Sequence, residues 1–162
     1  MRLLSLSIAL LFLLTGCDSG GSNSSDEEES PTPTSVEVVS IDVTDFPVKP
    51  ENSRCWDPPG CSGPDPYIVL EANGSTIYTS PNREDVSSTQ TFSFTTAETF
   101  TNLSTDLRVA LYDNDPPGNP DDLMDVTSSV RVRSFADEIG PGQETITGTS
   151  SLEAAILYDA KE

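Results

Sequence analysis

Apolar and polar residues alternate in short runs over most of the chain after residue 35, which is the pattern of strands with one buried face. Asn73-Gly74 lies between two such runs and is a strong β-hairpin signal. No segment keeps a helical period with capping residues. The predicted strands cover residues 36–43, 67–70, 76–79, 89–95, 107–112, 126–133, 145–149 and 152–158. They predict an all-β protein with one domain, an eight-stranded antiparallel β-sandwich over residues 36–162.

The N-terminal segment has a different pattern. Arg2 is followed by an almost unbroken apolar stretch over residues 3–14, and this order is typical of a secretory signal. A membrane-spanning helix needs about 20 apolar residues, so the stretch is too short to span. A buried core helix is the alternative, but Gly and Cys follow almost at once. The pattern therefore favours a signal peptide over residues 1–16.

Residues 17–35 predict a flexible tether between this signal and the domain. From Asp18 to Ser35 the segment contains no aliphatic or aromatic residue, so it cannot bury enough apolar surface to offset its chain entropy. Its Gly and Ser residues favour flexible coil, and its Pro residues favour a stiffer spacer. A sorting signal is a second interpretation of the acidic run at residues 26–29, but a solvated spacer is favoured.

The junction Leu14-Thr15-Gly16-Cys17 resembles the lipobox of bacterial lipoproteins, in which an aliphatic residue and two small residues precede a Cys. The resemblance implies cleavage between Gly16 and Cys17 and a thioether-linked diacylglycerol on Cys17. It also implies a lipid-anchored protein of the cell envelope, at the outer membrane or the cell surface.

Lipidation of Cys17 would leave Cys55 and Cys61 as the other two thiols of this chain. Both would lie in an oxidising compartment, where disulfides persist, and we expect them to pair. A metal–thiolate site is the alternative. The disulfide is favoured because this sequence contains no His and two thiols do not complete a zinc shell.

The charge balance disfavours one class of partner. Removal of Arg2 with the signal leaves 7 of the 8 basic residues and all 27 acidic ones, a net charge of −20. Nucleic-acid binding needs clusters of Lys and Arg that contact phosphates, so we expect no nucleic-acid partner. Simple attraction to anionic lipid is disfavoured for the same reason. Such a surface serves either solubility or the binding of divalent cations.

Two predicted loops carry the acidic residues that bear on this choice. The loop between about residues 47 and 66 contains Asp57 and Asp65. The loop after the strand at 107–112 contains Asp113, Asp115, Asp121 and Asp122. Carboxylates this close repel one another unless they are hydrated or neutralised, and calcium takes about six to eight oxygen ligands. A merely solvated acidic loop is the alternative to a calcium site, and the spacing does not match an EF-hand.

These residues resemble the motifs of a C2 domain, the calcium-dependent lipid-binding module of protein kinase C and the synaptotagmins. Asp65-Pro66-Tyr67 matches the hallmark Asp-Pro-Tyr of that family and is followed by an apolar strand. Residues 107–115, Leu-Arg-Val-Ala-Leu-Tyr-Asp-Asn-Asp, match the strand that delivers the third calcium loop. Residues 36–47, 92–94 and 152–158 are similar to the opening strand, the Phe-x-Phe strand and the closing strand. The resemblance covers nearly all of residues 36–162.

The resemblance implies a set of calcium ligands. The first-loop ligands correspond to Asp57 and Asp65, and the third-loop ligands to Asp113, Asp115 and either Asp121 or Asp122. This sequence departs from the family pattern in several places. The first loop is longer than usual and carries the Cys pair, the third loop is one residue longer, and Asp125 stands where a Gly is expected. The basic cluster that binds phosphoinositides has no counterpart.

We therefore expect a calcium-binding, lipid-anchored monomer, with calcium-dependent phospholipid binding as a further property. Trp56 would supply a membrane contact if it lies at a loop tip, and the competing interpretation packs it over the disulfide. An adhesion module that binds a surface glycan or protein, with purely structural calcium, is the alternative function. An exposed aromatic strip would favour it, although most of the candidates are expected in the core. The candidates are Tyr67, Tyr78, Phe92, Phe94 and Phe100.

An enzyme is not expected from this sequence. Because it contains no His, neither a Ser-His-Asp nor a Cys-His arrangement can form. No Gly-rich phosphate loop is present either. Paired carboxylates can hydrolyse a glycoside, but carboxylates clustered in one bent loop suit a metal ion better.

Overall fold

The computed structural model describes residues 31–47, 56, 63–84, 86–87 and 90–162. Within these ranges the chain forms nine strands and one short helix. They are β1 (Ser35–Asp45), β2 (Pro66–Ala72), β3 (Ser75–Thr79), β4 (Phe92–Phe100), β5 (Asp106–Asp113), β6 (Asp122–Val126), β7 (Val130–Arg131), α1 (Val132–Phe135), β8 (Gly140–Thr147) and β9 (Glu153–Lys161). In this part of the chain, no helix has the length and apolar character needed to cross a membrane.

The strands form two sheets, and every paired neighbour is antiparallel. The first sheet has the order β4-β1-β9-β8, and the second has the order β3-β2-β5-β6, with β7 paired to the start of β5. Alternate residues of each strand point into one core between the sheets, as strand geometry requires. Fully buried side chains come from both sheets, among them Val38, Ile41, Ile68, Leu70, Leu107, Leu111 and Ile156. This arrangement confirms the predicted antiparallel β-sandwich.

Local signals predicted some of these elements better than others. At the predicted hairpin, Asn73 and Gly74 have φ of 49° and 78°, and the two positive angles match the turn that Asn-Gly favours. The strand predicted at 126–133 is correct only at Val126, which belongs to β6, and at Val130–Arg131, which form β7. Val126 ends β6, and the chain then forms β7 and α1, in which Val132 and Phe135 face the core. The described chain thus has nine strands where eight were expected.

The strand register places four loops at the same end of the sandwich. Val36 pairs with Phe100 and Asp45 with Glu153, so β1 ends beside the start of β9. The short connection from β4 to β5 lies at the opposite end, and therefore β5 finishes at the first end. We call this first end the loop end. The described parts of four connections begin or end there, at residues 46–47 and 63–65, 80–84 and 90–91, 114–121, and 148–152.

Several predictions fall on residues outside the described ranges. These are the signal over residues 1–16, the lipid-bearing Cys17 with residues 18–30 of the tether, the pairing of Cys55 with Cys61, and the role of Asp57. All of them stay predictions.

Candidate metal site at the loop end

The first and third predicted calcium loops meet where β2 begins and β5 ends. Pro66 pairs with Asp113 in the ladder between these strands. The backbone N–H of Asp65 donates to Oδ1 of Asp113 at 2.7 Å, and the N–H of Asn114 donates to the Asp65 carbonyl at 3.1 Å. Asp113 is fully buried. The Asp-Pro-Tyr motif and the Tyr-Asp-x-Asp motif are therefore joined through one buried carboxylate.

The other third-loop carboxylates lie close to this junction. Asp122 opens β6 and pairs with Asp113 across the ladder. The N–H of Asp115 donates to Oδ1 of Asp121 at 3.1 Å, which closes the loop on itself. Burial raises the pKa of Asp115, and the charges of Asp122 and Asp121 raise it further. A raised carboxyl pKa means that its anion is destabilised here, so a cation placed beside it would be stabilising.

Tyr67 ties Asp121 to the sheet. Its hydroxyl donates to Oδ2 of Asp121 at 2.8 Å. Burial raises the pKa of the Tyr67 phenol, and the hydrogen bond and charge of Asp121 add to that shift. Both carboxylate oxygens of Asp121 thus accept hydrogen bonds within the protein, while Asp122 is exposed at the start of β6.

These donors suit a hard divalent cation in chemical type, since all are carboxylate oxygens on loops, or on the strand residues next to them, at one end of the fold. In the described ranges, however, no group of three or more His, Cys, Asp and Glu side chains is arranged to hold a metal ion. The structure brings Asp65 to Asp113 and Asp115 to Asp121. An ion bound by Asp121 would have to compete with the Tyr67 hydroxyl for its Oδ2.

Asp125 is an important residue of this region that the sequence motifs did not single out, apart from its replacing an expected Gly. Its side chain is only 4% exposed. Oδ1 accepts from the Val126 N–H at 2.8 Å and from the N–H and hydroxyl of Thr149 at 3.1 and 2.7 Å. Oδ2 accepts from three successive N–H groups, those of Ser150, Ser151 and Leu152, at 2.9, 3.1 and 3.1 Å.

Five of these six hydrogen bonds bind the loop over residues 148–152 to β6, and the sixth, from Val126, lies within β6. Although burial opposes it, they hold the pKa of Asp125 at about 2 by stabilising the anion. Gly148 leaves room for this carboxylate, because a Cβ there would lie 2.5 Å from Oδ2 of Asp125. Asp125 therefore joins the second sheet to the β8–β9 connection of the first. The sequence offered no local signal for this contact, because Asp125 and the Gly148-Thr149-Ser150-Ser151 run are 23 positions apart along the chain.

Trp56 does not lie exposed at a loop tip. Its side chain is 7% exposed and belongs to the hydrophobic core. The indole N–H donates to the Pro47 carbonyl at 3.1 Å, which satisfies its polar atom inside the protein. The structure thus places the Trp56 ring in the core, and its possible membrane contact stays a prediction.

The five aromatic residues considered for an exposed strip lie on different faces of the sheets. Phe92, Phe94 and Phe100 are buried in the core, and Tyr78 packs against it. The Tyr78 hydroxyl donates to the Thr95 carbonyl at 2.8 Å. Of the five candidates, Tyr67 alone lies on the outer face of its sheet, because its neighbours Pro66 and Ile68 point inward.

Solved structures similar to this chain include C2 domains. Human GIVD cytosolic phospholipase A2, in complex with a fluorophosphonate inhibitor and terbium chloride, is 17% identical with a TM-score of 0.57, over 83% of this chain and 18% of that chain. A structure described as a C2 domain is 14% identical with a TM-score of 0.47, over 79% of this chain and 98% of that chain. A C2 domain of plant Extended Synaptotagmin 1 is 17% identical with a TM-score of 0.43, over 82% of this chain and 99% of that chain. No protein-family model and no curated protein matches the sequence. The protein has a C2-like β-sandwich fold.

Proposed function

We propose that this protein is a lipid-anchored envelope protein whose C2-like domain binds calcium through aspartates at the loop end. The observation that carries the proposal is the contact between the Asp65 N–H and the buried carboxylate of Asp113. It joins the two loops whose motifs resemble the calcium loops of C2 domains. The carboxylates of Asp115, Asp121 and Asp122 lie on the same side of the fold, and their mutual repulsion supports the proposal.

Calcium in this proposal neutralises loop carboxylates that destabilise one another without it. The ion would take oxygens from Asp65, Asp113 and Asp115, and from Asp121 or Asp122 once the loop opens. Asp57 is the further ligand implied by the motif. The role is one of binding and stabilisation, with no catalytic step. Calcium is usually plentiful outside the cytoplasm, so a standing structural ion fits the proposal better than a signalling switch.

Isothermal titration calorimetry of calcium into the purified protein tests this proposal. We expect binding in the range of about 10⁻⁴–10⁻³ M that is common for extracellular sites. Asp115→Asn should weaken it by about tenfold, which corresponds to roughly 1.4 kcal/mol. Asp106→Asn is the matched control, since Asp106 opens β5 at the end opposite to the loop that carries Asp115 and pairs there with Arg131 at 3.3 Å. Absence of binding, or equal weakening by both variants, would contradict the proposal.

Attachment through Cys17 is the second part of the proposal, and it rests on the apolar segment followed by Leu14-Thr15-Gly16-Cys17. Metabolic labelling with radioactive palmitate should label the wild-type chain, and Cys17→Ser should abolish the label. Cys61→Ser is the control for loss of another thiol and should retain it. A Cys17→Ser chain that is still labelled would show that the acyl group is elsewhere. Calcium-dependent lipid binding is a further expectation, and co-sedimentation of the unlipidated chain with phospholipid vesicles measures it.

A further inference from the structure

The outer face of the second sheet carries two rows of apolar side chains next to the candidate metal site. Strand register places Tyr67, Tyr112 and Leu123 in one row across β2, β5 and β6. Val69, Ala110 and Val126 form the adjacent row. Their strand neighbours, such as Ile68, Val109 and Leu111, point into the core, so these six side chains lie on the opposite face. We call these six residues the outer apolar face.

Two aromatic side chains of the outer apolar face contact each other. The rings of Tyr67 and Tyr112 stack with centroids 5.4 Å apart and an angle of 15° between their planes. Leu123 follows Tyr112 in the same row and is 52% exposed, the most exposed large apolar side chain among the described residues. Ala110, the middle member of the adjacent row, is only 2% exposed.

An antiparallel sheet with one face in water usually places polar residues on that face. A continuous apolar surface there marks an interaction site more often than chance packing. Tyr residues are also enriched at protein interfaces, because the ring buries a large apolar area and the hydroxyl can stay hydrated. These properties favour a broad macromolecular partner, since a row of stacked rings on a sheet is no enclosed cavity for a small ligand.

The charges at the borders indicate the kind of partner. Asp121 and Asp122 border the Tyr67–Tyr112–Leu123 row at the loop end, and both are exposed. At the far border Arg108 is paired to Glu71, with Nε at 2.9 Å from the carboxylate, so that border is neutralised. We propose that the outer apolar face docks a protein segment that presents apolar side chains flanked by Lys or Arg. The basic groups of that segment would face the two carboxylates, and its apolar groups would cover the rings and Leu123.

Charge also disfavours a second copy of this chain as the occupant. The chain carries a formal net charge of −19, and two copies facing each other through this surface would repel. The same charge disfavours polyanions such as nucleic acid. Docking does not require bound calcium. An ion bound by Asp121 or Asp122 would compete with the basic groups, so the segment should bind most strongly without calcium.

Fluorescence anisotropy with three short synthetic peptides, measured in EDTA, tests this docking surface. Leucine alternates with lysine in the first peptide and with glutamate in the second, and serine replaces leucine in the third. We expect the leucine–lysine peptide to bind at least about tenfold more tightly than either of the others, since both apolar cover and opposite charge are required. Amide chemical shifts in β2, β5 and β6 should change on titration.

Leu123→Ser should weaken the leucine–lysine peptide by about tenfold, because it removes the most exposed apolar side chain of the outer apolar face. Val39→Ser is the matched control, because Val39 is 43% exposed on the other sheet and lies away from this face. Thermal unfolding of both variants establishes that they are folded, and the shift mapping on wild type needs no variant. Equal binding of the lysine and glutamate peptides would overturn the proposal, as would shifts that map elsewhere. A wild-type chain that binds no peptide, or that sediments as a dimer through this face, would overturn it as well.

Discussion

Substitution of Asp125 by Asn should destabilise this protein more than substitution of any exposed carboxylate. The change keeps the size of the side chain and one acceptor oxygen, but it removes the charge. In either orientation, the new NH₂ group faces donors: three backbone N–H groups at Oδ2, or two N–H groups and the Thr149 hydroxyl at Oδ1. A buried donor left without an acceptor costs about 1–3 kcal/mol, and at least two are left here. The expected loss is therefore about 3–5 kcal/mol, as for other buried charged groups that lose their partners.

The pKa of Asp125 provides a second, independent signature. The folded-state pKa of about 2 lies below the ordinary value of 3.8, so the folded state favours the anion. Its stabilising contribution is fully present above about pH 4 and is lost as the pH falls through the folded pKa near 2. This difference between the folded-state pKa and the ordinary pKa corresponds to about 2 kcal/mol in the free energy of unfolding. Asp125→Asn has no titratable carboxyl at this position, so the part of the stability loss at acid pH that comes from protonation of Asp125 should be absent in this variant.

Urea unfolding followed by the fluorescence of Trp56 measures both effects. Trp56 is the single Trp of the chain and is 7% exposed in the core, so its emission reports on core packing. Asp122→Asn is the control, because Asp122 lies on the same strand but is exposed, and EDTA removes any effect of bound cation. We expect the control to stay within about 0.5 kcal/mol of wild type. If Asp125→Asn is equally mild, or if it loses stability between pH 4 and 2 as wild type does, the hydrogen bonds at Asp125 do not carry the assigned energy.

Three further outcomes follow from the same region. Gly148→Ala should lower the free energy of unfolding by about 1–3 kcal/mol, because its Cβ would lie 2.5 Å from a carboxylate oxygen of Asp125. The loss should be smaller in an Asp125→Ala background, where that oxygen is absent. A loss that urea unfolding shows to be unchanged in this background would refute the clash. Calcium should raise the melting temperature and EDTA should reverse the rise, since a ligand that binds only the folded state stabilises it by mass action; a melting temperature that EDTA leaves unchanged would count against calcium binding. Tyr67→Phe should tighten calcium binding in calorimetry by about tenfold, because the Tyr67 hydroxyl competes with the ion for Asp121. Tyr112→Phe is the control. Weaker calcium binding by Tyr67→Phe would contradict this competition and would mean that the hydrogen bond pre-organises the loop.

Local patterns predicted the strands that obey simple alternation and missed those that depend on packing. Residues 36–43 alternate over most of their length, residues 107–112 form a mostly apolar run, and both lie in strands of the structure. The run at 126–133 has a similar composition, yet only its first residue belongs to β6. Val132 donates its N–H to the Thr105 carbonyl and turns into α1, so that Phe135 reaches the core. This contact joins residues 27 positions apart along the chain, and strand propensity carries no information about it.

The candidate site divides in the same way. The motifs Asp65-Pro66-Tyr67 and Tyr112-Asp113-Asn114-Asp115 could be recognised in the sequence, because each is a contiguous segment with its own turn and strand chemistry. The tertiary structure decided which residues meet: Asp113 with the backbone of Asp65, and Asp125 with residues 149–152 of the other sheet. It also decided that Trp56 is buried and that Tyr67, Tyr112 and Leu123 share an exposed row. The sequence by itself determined the two-residue alternation and the turns, which are local. The pairing of strands sets which side chains are neighbours. It depends on how the two sheets bury one core, and the free energy of that burial comes from residues far apart along the chain, so no local pattern contains it.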